Sequence, residues 1–302
     1  MRRVLLLLGA AALAGVAGGA QAASSTFPGA NGRIVFVRER PSFSDELAGI
    51  FHTDLWWVVP GRRARPLLQR RQYDATPYEP DWSADGQRLA VAMDCSNKYA
   101  LGCSYVAVAN ANGRGLRELF PPASGPGRPM EASPAWSPDG TRIAFVSYAG
   151  QSGIFVMAAD GRGRTRITAG TNPAWSPDGA QLALERSGDI WVVNLAGDGP
   201  DRNITNTPFA EANPSWSPDG TQIAYDRVER TRQRFVYSTR SDGTEPRRLA
   251  LGRTPAWSPD GRRIVFVRRF NIWLMNADGT RQRRLTKNRI YEAEPAWQPI
   301  PR

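Results

Sequence analysis

Pro134-Ala135-Trp136-Ser137-Pro138-Asp139-Gly140 is the stretch whose reading decides the fold. It returns as Pro80-Asp81-Trp82-Ser83-Ala84-Asp85-Gly86, Pro173-Ala174-Trp175-Ser176-Pro177-Asp178-Gly179, Pro214-Ser215-Trp216-Ser217-Pro218-Asp219-Gly220 and Pro255-Ala256-Trp257-Ser258-Pro259-Asp260-Gly261. A sixth copy, Pro295-Ala296-Trp297-Gln298-Pro299, breaks off at the C-terminus, and its continuation, Asn31-Gly32-Arg33-Ile34-Val35-Phe36, stands near the N-terminus. Repeats of this kind are supersecondary units that bury their apolar faces only against their neighbours. A unit divided between both ends of the chain predicts a circular array, sealed by pairing those ends.

Each unit reads as four short strands. In the copy at Pro134 these are 134–137, 142–147, 154–158 and 164–168. Ser-Pro-Asp-Gly is the first turn: Pro presets φ, Asp suits the next position and Gly takes the left-handed conformation that closes the hairpin. Asp160-Gly161 marks the second turn. Successive Trp residues lie 54, 39, 41, 41 and 40 positions apart, the period of four-stranded propeller blades. The expected fold is all-β: a six-bladed β-propeller with blades near 31–68 plus 294–297, 80–119, 134–168, 173–205, 214–249 and 255–286. The repeat Trp residues are expected to wedge between blades as core, not to form a ligand cage.

Met1-Arg2-Arg3, the apolar run 4–20 and Ala20-Gln21-Ala22 form an export signal with a cut after Ala22. The expected division is therefore a signal peptide at 1–22 and a propeller at 23–302, secreted or periplasmic and not membrane-spanning once the signal is removed. An oxidising compartment makes a Cys95–Cys103 disulfide the default, since seven intervening residues are not a metal-knuckle spacing. The net charge is +11 over 302 residues, about +9 without Arg2 and Arg3. Much of the excess (Arg62, Arg63, Arg65, Arg164, Arg166, Arg247, Arg248, Arg281, Arg283, Arg284) falls on fourth strands and the turns before them. Charge on outer strands guards against edge-to-edge pairing; an anionic envelope polymer is the partner class it would attract. No nucleic-acid motif is present, and nucleic acid is not an expected partner.

The Ser-Pro-Asp-Gly and Asp-Gly turns share one face of such a ring, and the variable connections share the other: 38–54, 69–79, 93–104, 121–133, 227–234 and 287–294. Function on a rigid scaffold concentrates in variable loops. The binding patch expected there comprises Phe51, Tyr73, Tyr78, Tyr99, Phe209, Phe270 and Tyr291, because aromatic anchors dominate interface energy. The residue before each repeat proline should ring the channel mouth: Glu79, Ser133, Asn172, Asn213, Thr254 and Glu294. Oxygens of Glu79, Asn172, Asn213 and Glu294 could hold calcium; no other cofactor is expected. No catalytic residue is assigned. His52 is the single histidine, read as an ordinary loop residue, and the chain has no Gly-x-Ser-x-Gly elbow.

Pro-Ala-Trp-Ser-Pro-Asp-Gly, followed by Ile143-Ala144-Phe145 and, in a later copy, Asn276-Ala277-Asp278-Gly279, resembles the repeat of the TolB-like six-bladed β-propellers across 30–297. The resemblance implies a rigid exported platform that presents loops to a protein or peptide. Related repeats also form the substrate-gating propeller of prolyl oligopeptidase-like enzymes. This chain is read as starting its propeller directly behind the signal, without the α/β domain that TolB carries there and without a hydrolase domain. The expected function is thus a non-catalytic protein- or peptide-binding scaffold. The alternatives are a cation- or small-ligand-binding propeller with lyase- or lactonase-like activity at the channel mouth, and an envelope-associated sensor or wall-binding protein.

Overall fold

A computed structural model describes residues 26–40, 52–69, 75–95, 103–119, 130–197, 199–287 and 289–301. The signal at 1–22 lies outside them, as do Phe51, Tyr73 and Tyr99. Among the described residues there is no helix, and so none long and apolar enough to cross a membrane.

The described residues form six four-stranded antiparallel sheets. Five are built from consecutive strands. They are β4 (Thr76–Trp82), β5 (Arg88–Asp94), β6 (Ser104–Asn110) and β7 (Arg117–Glu118); β8 (Glu131–Trp136), β9 (Arg142–Ser147), β10 (Gly153–Ala158) and β11 (Thr165–Thr168); β12 (Thr171–Trp175), β13 (Gln181–Arg186), β14 (Asp189–Asn194) and β15 (Arg202–Asn203); β16 (Glu211–Trp216), β17 (Gln222–Val228), β18 (Arg234–Arg240) and β19 (Arg247–Leu251); β20 (Arg253–Trp257), β21 (Arg263–Arg268), β22 (Asn271–Asn276) and β23 (Arg283–Arg284). The sixth joins the two ends of the chain in the order β24 (Glu292–Ile300), β1 (Ala30–Arg40), β2 (His52–Val58), β3 (Arg65–Leu68). Its seal pairs Ile34 with Trp297 and Val35 with Ala296. The fold is the six-bladed propeller read from the repeats. Two details differ. The inner strands of the five consecutive sheets begin two to four residues before the repeat proline. His52 opens β2 and is buried, not part of a loop.

Each blade is covered on both faces by its neighbours, so its second strand is apolar almost throughout. The two faces are not alike. In β9, Ile143 and Phe145 point into the core shared with the preceding blade, while Ala144 faces the next blade and meets Trp175 there. Ala90 meets Trp136, Ala183 meets Trp216 and Ala224 meets Trp257 in the same way. Alternation along a strand supplies the geometry, and the small residue makes room for the next indole. Every seam thus holds one repeat Trp, none more than 3% exposed.

The Ser-x-Asp-Gly turns are rigid. Ser176 Oγ donates to Asp178 Oδ1 at 2.5 Å and accepts from the Gln181 amide at 2.9 Å, while the Ala180 amide donates to the same Asp178 oxygen at 3.0 Å. The Ser176 hydroxyl and the Ala180 amide hold the Asp178 carboxyl below its usual range. Gly86 is required for its φ of +65° and because a Cβ there would lie 2.0 Å from Pro299 O, across the seam with the closing blade. Cys95 and Cys103 are joined by a disulfide across the neck of the β5–β6 connection. The outer strands carry exposed Arg65, Arg166, Arg247 and Arg283, but Arg164 is drawn inward to the buried Glu131.

Truncating one seam indole tests this architecture. Trp216→Ala is expected to cost roughly 3–5 kcal/mol in equilibrium urea unfolding; an unchanged midpoint would show that the indoles do not hold the blades together.

Candidate functional site

All six inner strands break register at one place, the residue before the repeat proline. The jumps fall between Tyr78 and Asp81, Ala132 and Ala135, Thr171 and Ala174, Ala212 and Ser215, and Arg253 and Ala256; in β24 the matching break lies between Ala293 and Ala296. A proline has no N–H to give to a ladder, and bulges are where sheets tolerate it. The preceding residue becomes the bulge and takes positive φ: Glu79 50°, Ser133 50°, Asn172 53°, Asn213 57°, Thr254 48° and Glu294 53°. Each is a non-glycine residue in the left-handed region, an unfavourable state that persists only where the surroundings impose it.

The bulges turn these residues toward one another around the axis. The Glu79 amide donates to Glu294 Oε2 at 2.7 Å, and the Ser133 amide donates to Glu79 Oε2 at 2.5 Å. Ser133 Oγ donates to Asn172 Oδ1 at 3.1 Å, and Asn172 Nδ2 donates to Glu185 Oε2 at 2.9 Å. On the far side Asn213 Nδ2 and the Thr254 amide both donate to Asp226 Oδ2, at 2.7 and 2.9 Å. Asn213 Oδ1 is buried and accepts no hydrogen bond from the described residues. Five of the six ring residues are fully buried; Glu294 keeps some exposure.

Burial pushes Glu294 up to about 7, against the opposing pull of the Glu79 amide and of the Arg253 charge. Burial raises Glu79 well above the usual carboxylate range, and the Glu294 charge raises it further. The two carboxyls therefore titrate as a pair, the charge on one raising the other. Burial also raises Glu185, and it raises Tyr148, on which the Glu79 and Glu185 charges act in the same direction.

Sequence reading missed the carboxylates that back this ring. Glu185 and Asp226 come from second strands. Glu131, Glu211 and Glu292 stand two residues before Ser133, Asn213 and Glu294, and each is fully buried. An arginine meets each: Arg164 with Glu131, Arg227 with Glu211 at 2.8 Å, and Arg38 with Glu292 at 2.6 Å. The recurring Glu-Ala-x-Pro was the available signal. Asp226 has its own arginine, Arg234.

The expected aromatic patch divides. Tyr78 is inside β4, and its hydroxyl donates to Glu131 O at 3.3 Å, so it is a packing residue. Phe209 is half-buried, with the Arg227 guanidinium 5.8 Å from its ring centre. Phe270 and Tyr291 come together, with ring centres 5.6 Å apart. Phe270 is 59% exposed at φ +64°, in the β21–β22 turn. The Tyr291 hydroxyl accepts from Arg253 Nη2 at 2.5 Å, which ties the pair to the strand carrying Thr254. Tyr148, 39% exposed, also stands on this face and was not foreseen.

Residues 132–269 match the TolB beta propeller domain. Over that segment the repeats are those of a TolB-like β-propeller. TolB from Acinetobacter baumannii superposes with a TM-score of 0.70 at 20% identity, covering 89% of this chain and 67% of that one. A putative TolB from Agrobacterium tumefaciens gives a TM-score of 0.56 at 18% identity, over 77% of this chain and 96% of the other. A chain of a nidogen/laminin complex gives a TM-score of 0.67 at 10% identity, over 90% and 100%. No curated protein matches the sequence. At these identities the superpositions establish the fold. Among the described residues of this propeller, no group of three or more His, Cys, Asp or Glu side chains is placed to hold a metal ion.

The ring carboxylates make stability depend on pH in a defined direction. A carboxyl whose pKa is raised by folding keeps its proton in the folded state while the unfolded chain releases it. Its contribution is full below about pH 4.5 and is lost as pH rises through about 7. Glu294→Gln is expected to flatten the loss between pH 5 and 8, and at pH 8 to be more stable than the parent by about 1–3 kcal/mol. Parallel pH profiles of parent and variant would contradict the assignment; thermal melts across that range measure it.

Proposed function

We propose that this TolB-like propeller is an exported, non-catalytic scaffold that binds a protein or peptide partner on its loop-rich face. One observation carries the reading. Phe270 is presented to solvent in a backbone conformation that a bulky residue rarely adopts, against Tyr291, which Arg253 anchors. A strained, exposed aromatic on a rigid turn spends stability without gaining burial, as residues kept for recognition do. An aromatic anchor with an arginine beside it is the composition of interface hot spots. The TolB-like fold and the disulfide, a bond of oxidising compartments, support export.

Combined Phe270→Ala and Tyr291→Ala is expected to abolish crosslinked capture of the partner from the envelope fraction, leaving the thermal midpoint within about 2 °C of the parent. Retained capture would move the binding surface elsewhere.

A second reading, calcium at the ring, draws on the adjacent Glu79 and Glu294. Above pH 7 the two carboxylates repel when both ionise, and a hard cation would relieve that repulsion. The expected sign is a rise in thermal midpoint at pH 8 in millimolar calcium that is absent from Glu294→Gln. No response in the parent ends this reading and leaves the scaffold reading intact.

A further inference from the structure

The end of the channel opposite the ring is filled by the chain itself. Thr26 and Phe27 precede β1, yet they are only 3% and 2% exposed. Thr26 Oγ1 lies 3.4 Å from Ser215 Oγ and donates to Trp257 O at 3.3 Å, at the seam between the β16 and β20 blades. Phe27 packs into the core that holds Ala90 and Trp136, beside Ala84, at the seam between the β4 and β8 blades. In a ring of six sheets these seams face each other across the axis. Two successive residues therefore span the channel where the Ser-x-Asp-Gly turns gather.

Ring closure does not need them. The sealing pairs run from Ala30 with Ile300 to Arg38 with Glu292, all after residue 29. The chain enters from the rim, where the Gly29 amide donates to Pro259 O at 3.1 Å. A cleft of about 410 Å³, bounded by Pro28, Gly29, Pro218, Asp219, Pro259 and Asp260, lies along that path. The receiving surface also departs from the repeat. Between proline and tryptophan four copies carry alanine (Ala135, Ala174, Ala256, Ala296), whereas Ser215 supplies the hydroxyl that meets Thr26.

We propose that this end of the channel is a peptide-binding site for an extended hydroxyl–aromatic dipeptide, filled in cis by Thr26–Phe27 and open to displacement by a segment of the same chemistry. The segment acts as a cork. While it is seated, the channel is a blind well that ligands enter only past the polar ring.

The test uses the full exported chain carrying Phe27→Ala and a synthetic peptide of residues 24–29. Phe27→Ala is expected to lower the thermal midpoint by about 5 °C or more. The peptide should restore it saturably, and a peptide with alanine in the Phe position should not. An unchanged midpoint, or equal effects of the two peptides, overturns the proposal. Should Phe27→Ala fail to fold, amide exchange on the unmodified chain decides. The Gly29 amide is then expected to exchange at least tenfold faster than the strand amides of β16, through local release of the cork. Exchange of both only with global unfolding would show a fixed part of the core and overturn displacement.

Discussion

The pairing of β24 with β1 is the interaction on which the rest of this molecule depends. Without it there would be a row of sheets with two open edges and two uncovered apolar faces. With it, Trp297 enters the seam against Val265 and Val267, just as Trp257 enters the seam against Ala224. Each blade is too thin to hold a core of its own, so the stability of any one is set by the two beside it. That is why the chain ends, elsewhere the least constrained part of a protein, are here the most constrained. Arg38 to Glu292 and Ile34 to Trp297 tie residues more than 250 positions apart in sequence.

Closure creates a second constraint. Six inner strands brought around one axis present their free edges to a narrow channel, and each edge carries amides that must find acceptors. The x-Pro bulge answers this in two ways. Proline removes one amide, and the left-handed residue before it turns a polar side chain toward the next blade, where Glu79 accepts the Ser133 amide; the Thr254 amide is met by Asp226 of a second strand. The price is a set of carboxylates held in poor solvent. The outer ones are neutralised by arginine, as in Arg227 with Glu211. Burial instead holds Glu79 and Glu294 above the usual carboxylate range, and Arg253 offsets only part of the rise at Glu294.

The fold was legible because its signals are local and periodic: a turn of fixed composition, an indole two residues after a proline, and a split copy that named the seal. The site was legible only in part. A buried Glu131 looks like any solvated glutamate in a one-dimensional reading, since its arginine lies 33 residues away, just ahead of β11. Tyr78 stands among polar residues ahead of a proline and reads as loop, but the strand begins at Thr76 and draws it inside. His52 was misread for the same reason, because β2 starts earlier than its apolar pattern does. Phe270 stands exposed because the Arg269-Phe270 turn is short enough to force its aromatic outward. Thr26 and Phe27 left no sequence trace at all, for the Thr26 partners are 189 and 231 positions distant.

The two ends of the channel differ in chemistry for a structural reason. The inner strands run in the same direction in every blade, so one end gathers the bulges and the other gathers the residues between proline and tryptophan, alanine in four blades, Asp81 and Ser215 in two. Bulges admit long polar side chains, and the first end becomes acidic and hydrogen-bonded. The second end is less polar, and there Ser215 meets Thr26 while Phe27 packs beside Ala84 and Ala90. The same repeat that closes the wheel therefore also gives it a direction, with an acidic mouth at one face and an aromatic-filled base at the other.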